Sequence, residues 1–115
     1  MAMPRRMLVV EDEILVAMMI EDSLVSIGVE VAGVVGTLEE AMKRANEGGF
    51  DCALLDVHLR GRDIYPVAEV LAAKGVPFIF ATGYGQGMLP EKWQERPVLQ
   101  KPFVGAELER VLTSL

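Results

Sequence analysis

The sequence predicts an α/β domain built on a doubly wound parallel sheet. Three observations predict it. Short apolar runs of strand length alternate with longer segments of helical spacing. The runs are apolar throughout, as strands covered on both faces are. Glycines and a capping pattern punctuate the junctions.

The elements follow in order. Residues 7–10, "MLVV", form the first strand, which ends at Glu11-Asp12-Glu13. A helix over about 13–27 follows and closes at Gly28. Val16, Met19, Ile20, Leu24 and Ile27 make its core stripe. Residues 29–35 form the second strand. Thr37 and Glu40 make a capping box for a helix over about 38–47, which Gly48-Gly49 stops. "CALLD", 52–56, is the third strand. Pro66 suits the first turn of a third helix that closes near residue 74. "PFIFA", 77–81, is the fourth strand and "VLQ", 98–100, the fifth. Between them Gly85, Gly87, Pro90 and Pro97 leave room only for a short or mobile fourth helix around 88–94. Leu108, Val111, Leu112 and Leu115 share one face of a last helix. The length, 115 residues, suits one domain, with a core over 7–114.

Composition narrows the function. The net charge of −6 argues against direct nucleic-acid binding, because phosphates need basic partners. The Arg5-Arg6 pair before the first strand reads as solvated. Cys52, the single cysteine, lies in an apolar run and reads as a core residue. With no internal disulfide possible, the cytoplasm is the expected setting. Neither a signal peptide nor a membrane span is evident.

The chemistry lies in what ends each strand. Glu11-Asp12 end the first, Asp56 the third, Thr82 the fourth, and Lys101 follows the fifth. Singly, each has a plainer reading: Asp12 a helix cap, Asp56 a turn residue, Thr82 a strand terminus, Lys101 a surface charge. A parallel sheet, however, puts all strand C-termini on one edge, where such folds place their sites. Three carboxylates, a hydroxyl and an ammonium would converge there. Three carboxylates either raise their pKa values or hold a cation. An all-oxygen acidic set suits Mg²⁺ better than zinc. Thr82 and Lys101 supply what phosphoryl oxygens need, a donor and a positive charge. One carboxylate is left as a nucleophile.

In order, "LVVEDE", "ALLDV", "FATG" and "LQKPF" resemble the motifs of response-regulator receiver domains of two-component signalling, over essentially the whole chain. "FATGYG", "DVHLRG" and "YPVAEVL" look like the FATGUY subgroup of single-domain receivers. The resemblance implies a flavodoxin-like fold with strand order 2-1-3-4-5. It implies Asp56 as phosphoacceptor, and Mg²⁺ (or Mn²⁺ in its place) held by Glu11, Asp12, Asp56 and the backbone carbonyl of His58. It implies Thr82 and Lys101 on the phosphoryl oxygens, with N–H groups of Val57 or His58 and of Gly83 as further donors. It also implies a cis Lys101-Pro102 bond. Gly83 would let the backbone approach closely without a Cβ.

Where receivers carry a switch aromatic, this chain has Val98, so Tyr84 beside Thr82 is the expected substitute. Arg60-Gly61 stands where many receivers have a proline-containing loop. Leu15 and Met18 on the first helix are expected to be exposed and to meet a histidine kinase or phosphotransferase. The downstream partner, whose identity the sequence does not give, is expected to be a protein, with neither nucleic acid nor membrane engaged directly, and the chain a monomer or weak dimer. The receiver is expected to be no enzyme beyond its own phosphotransfer and dephosphorylation. The alternatives are a haloacid-dehalogenase-type phosphatase, whose nucleophile follows its first strand, and a pseudo-receiver that binds partners without phosphate. "GYGQG" follows the wrong strand for a dinucleotide site.

Overall fold

The computed structural model describes residues 4–83 and 89–115. β1 (Arg6–Val10), β2 (Glu30–Val35), β3 (Cys52–Asp56), β6 (Phe78–Thr82) and β7 (Val98–Gln100) form one parallel sheet in the order β2-β1-β3-β6-β7. Numbered by its own strands alone, that order is the expected 2-1-3-4-5. The helices are α1 (Ile14–Ser26), α2 (Leu38–Glu47), α3 (Tyr65–Ala73) and α4 (Gly105–Thr113).

Successive strand residues point to opposite faces, so each apolar run feeds two cores. Leu8, Val10, Ala53, Leu55, Phe78 and Phe80 pack on one face with residues of α2 and α3. Met7, Val9, Leu54, Ile79 and Ala81 pack on the other with Ile20 and Leu24 of α1 and Leu108 and Leu112 of α4. Cys52 is fully buried in the second cluster, and burial pushes its thiol up to about 12, so it behaves as a core residue.

Two details differ from the expected pattern, and a third, the short fourth helix, follows it. Met19 is 60% exposed, and Ala17 stands with Ile20 and Leu24 on the buried side of α1. These three recur at i, i+3 and i+7, so the helix is turned until Met19 falls on its flank. The helix expected around 88–94 is short, as expected: among the described residues it is a single 3₁₀ turn over Glu91–Trp93. Pro90 and Pro97 bracket the segment, and Trp93 plugs the core edge-on to Phe78 and Phe80, at 5.8 and 6.1 Å between ring centroids. Finally, a small hairpin, β4 (His58–Leu59) with β5 (Arg62–Asp63), interrupts the path from β3 to α3.

The capping side chains are in place. Thr37 Oγ1 accepts from the Glu40 N–H at 3.1 Å, while Glu40 reaches back to the Gly36 N–H at 3.3 Å. The other end of α2 is closed from a distance: Lys74 Nζ donates to the carbonyls of Ala45 (2.9 Å) and Asn46 (2.6 Å). An ammonium on these carbonyls satisfies acceptors and complements the helix dipole. Lys74→Met is therefore expected to lower stability by about 1 kcal/mol in urea unfolding, without changing the sheet.

Candidate functional site

The sheet brings the polar strand ends together. Glu11 extends β1 by one residue, its N–H bonded to Val35 O at 3.0 Å. Asp56 closes β3 opposite Ala81. Thr82 ends β6, and the Lys101 N–H bonds to the Thr82 carbonyl at 2.8 Å, prolonging the β6–β7 ladder. Among the described residues, Glu11 (2% exposed), Asp56 (6%) and Thr82 (4%) are the buried polar side chains, and all three lie on this rim. Burying polar groups is costly unless they are partnered, so their concentration here makes the rim the candidate site.

Lys101 Nζ supplies the partner. It lies 2.6 Å from Glu11 Oε1 and 3.3 Å from Asp56 Oδ1. Burial pushes the Asp56 carboxyl up to about 7; the Lys101 charge opposes that shift and the Glu11 charge adds to it. Burial works against the Lys101 ammonium, but its hydrogen bond to Glu11 and the charges of Asp56 and Glu11 outweigh it and raise its pKa. One ammonium faces three carboxylates, so the rim remains anionic.

One oxygen each from Glu11, Asp12 and Asp56 can be taken with all three lying within 4.8 Å of one another. That all-oxygen, net negative set fits a hard divalent cation such as Mg²⁺. The outer bonds are also made: the Glu13 N–H donates to Glu11 Oε2 at 3.1 Å, and the Arg60 N–H to Asp12 Oδ2 at 3.1 Å.

The remaining expected residues divide. The His58 imidazole is on the exposed hairpin, its Nδ1 3.5 Å from Asp63 Oδ1, a placement suited to a role for its backbone rather than its ring. Of the two backbone donors expected after Asp56, Val57 or His58, the Val57 N–H donates to the Ala81 carbonyl at 3.0 Å. A Cβ on Gly83 would meet no atom of the described residues within 4 Å. Tyr84 lies outside the described residues. The Lys101-Pro102 bond is cis, as expected. Leu15 and Met18 are exposed, at 76% and 53%. Beside them Val16, Met19, Ile20, Pro102 and Phe103 line a groove of about 330 Å³ that reaches Lys101.

The hairpin that carries Arg60 was not anticipated from the sequence. Its signal was the dipeptide Arg60-Gly61, since a glycine-containing pair between two short strands is the mark of a tight hairpin.

Known proteins share this architecture. The solution structure of SdrG from Sphingomonas melonis Fr1 matches with a TM-score of 0.87 and 43% identity, covering 99% of this chain and 98% of that one. The signal receiver domain of a modulated diguanylate cyclase from Desulfovibrio desulfuricans G20 matches with a TM-score of 0.81 and 31% identity, over 98% of this chain and 93% of that one. The chain belongs to the response-regulator receiver domains of two-component signalling. The receiver domain of sensor histidine kinase PA1611 from Pseudomonas aeruginosa PAO1 has a TM-score of 0.80 to this receiver and 28% identity, covering 96% of this chain and 95% of that one. Its crystal structure holds a magnesium ion in the active-site cleft. The receiver spans about half the length of the curated relatives it matches. No family model matches it. Among the described residues no helix is long and apolar enough to cross a membrane.

Proposed function

We propose that this receiver accepts a phosphoryl group on Asp56 from a phosphohistidine of a sensor kinase or phosphotransferase. The observation that carries the reading is the Lys101 ammonium set between Glu11 and Asp56, at the rim where Thr82 also ends its strand. An Asp56 oxygen attacks phosphorus, the donor's N–P bond breaks as the O–P bond forms, and the bonding pair stays with the imidazole nitrogen, which takes a proton. Lys101 and the Thr82 hydroxyl offer a charge and a donor to the phosphoryl oxygens, while Glu11 and Asp12 keep the acidic pocket for a cation. Magnesium there would neutralise the carboxylates and the charge that develops on the transferred group. The outcome is a signal, through altered partner binding or phosphoryl relay, rather than turnover of a substrate, and the setting is the cytoplasm.

The test is intact-mass spectrometry after incubation with acetyl phosphate and Mg²⁺. Wild type is expected to gain one phosphoryl mass, and Asp56→Ala or added EDTA to abolish the gain. Wild-type protein that stays unmodified with the cation present defeats the reading.

The donor must come to Asp56 from the open rim, and α1 begins there. Ile14 (77% exposed), Leu15 and Met18 give it an apolar outer face next to the groove, the kind of surface that marks an interface. The Leu15 side chain contributes little to the fold, so Leu15→Asp is expected to leave labelling by acetyl phosphate intact. Transfer from the cognate kinase or phosphotransferase should slow by about tenfold or more, the loss of one apolar contact of about 1.4 kcal/mol at an interface. Rapid-quench phosphotransfer with both donors checks it.

A further inference from the structure

We infer that Arg60 is a positioning residue for the cation site, acting through Asp12. The inference rests on the reading that Glu11, Asp12 and Asp56 hold a divalent cation. Among the described residues Arg60 is the one non-glycine residue with a positive φ, +52°, and Gly61 follows at +76°. Two successive left-handed residues make the tight turn that joins β4 to β5. A side chain with a Cβ is disfavoured in that conformation. Arg60 nevertheless occupies it, and both its backbone and its side chain are tied down there.

The ties form a closed ring. The Arg60 N–H donates to Asp12 Oδ2 at 3.1 Å, and Arg60 Nε donates to the Gly36 carbonyl at 3.0 Å. Gly36 in turn lies against the acidic pair: a Cβ there would stand 3.6 Å from Asp12 Cα and 3.6 Å from the Glu11 carbonyl. The hairpin after β3, the loop after β2 and the carboxylate after β1 are thus linked through one arginine. One Asp12 oxygen is engaged by the turn, which orients the other. Outer partners of this kind commonly change metal affinity by about 10–100-fold.

Arg60 carries a positive charge beside an anionic pocket, and this makes the test one of sign. If Arg60 acted only by its charge, removing it would tighten cation binding. If it positions Asp12, removing it loosens binding. Mg²⁺ titration calorimetry on the full chain should compare wild type with Arg60→Gly, Arg60→Asn and Arg62→Ala. Glycine and asparagine both tolerate the left-handed turn but cannot reach Gly36. Arg62 is the neighbouring arginine of the same hairpin and pairs with Glu39 instead.

Both Arg60 variants are expected to bind Mg²⁺ about tenfold more weakly, with the melting temperature in EDTA unchanged or higher. Arg62→Ala should bind as tightly as wild type or more so. Unchanged or tighter binding in the Arg60 variants overturns the inference. So does weakening that appears equally in Arg62→Ala, or that comes with a fall in the EDTA melting temperature. Wild-type protein without saturable Mg²⁺ binding is a different result, which defeats the cation reading itself.

Discussion

Lys101→Met is expected to destabilise the metal-free receiver by about 3 kcal/mol near pH 8, and to cut labelling by acetyl phosphate sharply. The Glu11 side chain is completely buried, and the Lys101 side chain only 21% exposed, so this ion pair is little screened by solvent. Removing the ammonium leaves the buried Glu11 and Asp56 carboxyls facing each other without their cationic partner. Breaking a buried pair on one side typically costs about 3–5 kcal/mol; the partial exposure of Lys101 puts the expectation at the lower end. The pH dependence separates this from loss of packing. Lys101 has a raised pKa, so it is charged throughout the working range, and Asp56 carries the pH response. Without Lys101 the Asp56 carboxyl, already pushed up to about 7 by burial, is pushed higher still; near pH 5 it is protonated with or without the lysine and that part of the penalty disappears, while near pH 8 the variant loses more. Urea unfolding at the two pH values should show the loss mainly at the higher one. An equal loss at both would make Lys101 a packing residue.

Asp56→Asn should act in the opposite direction. In the metal-free protein it is expected to raise stability by on the order of 2 kcal/mol above pH 7, while abolishing phosphoryl labelling. Burial moves the Asp56 carboxyl from 3.8 to about 7. Between those values the folded chain holds a proton that the unfolded chain has released, so wild-type stability falls as pH rises through the window. Below about pH 4 both states are protonated and the effect vanishes; above about pH 7 it is complete. Asparagine has no such titration. It also loses the contact with Lys101, so the expected gain is smaller than the pKa change alone would give. The stability difference between variant and wild type should grow from about pH 4 to about pH 7. Saturating Mg²⁺ should then reverse the order, because the wild-type carboxylate gains a ligand's role that the amide cannot fill.

Much of the fold was legible because it rests on local pattern. The third and fifth strands and the second helix fall at the expected residues, since a glycine, a capping pair or a run of apolar residues marks each boundary. The strand ends were legible for the same reason: an acid, a hydroxyl or a lysine is conspicuous after an apolar run. Met19 was misread because α1 is apolar on nearly every side, and periodicity does not tell which of two apolar stripes a sheet will cover. The short helix around 88–94 was legible from Pro90 and Pro97, and among the described residues it is a 3₁₀ turn that places Trp93 in the core. The Val57 N–H could not be assigned from sequence, because its partner, Ala81, belongs to another strand.

The sequence by itself determined the alternation of strands and helices and the identity of the groups at the rim, because both are written in residues close together along the chain. Only the tertiary structure decided how those groups are paired: Lys101 between Glu11 and Asp56, the Arg60 turn on Asp12, Lys74 on the end of α2. Each of these bonds joins residues far apart in sequence, and its length depends on how helices and loops settle against the sheet. Charge and burial then act through distances of a few ångströms, and those distances set the Asp56 carboxyl near neutrality.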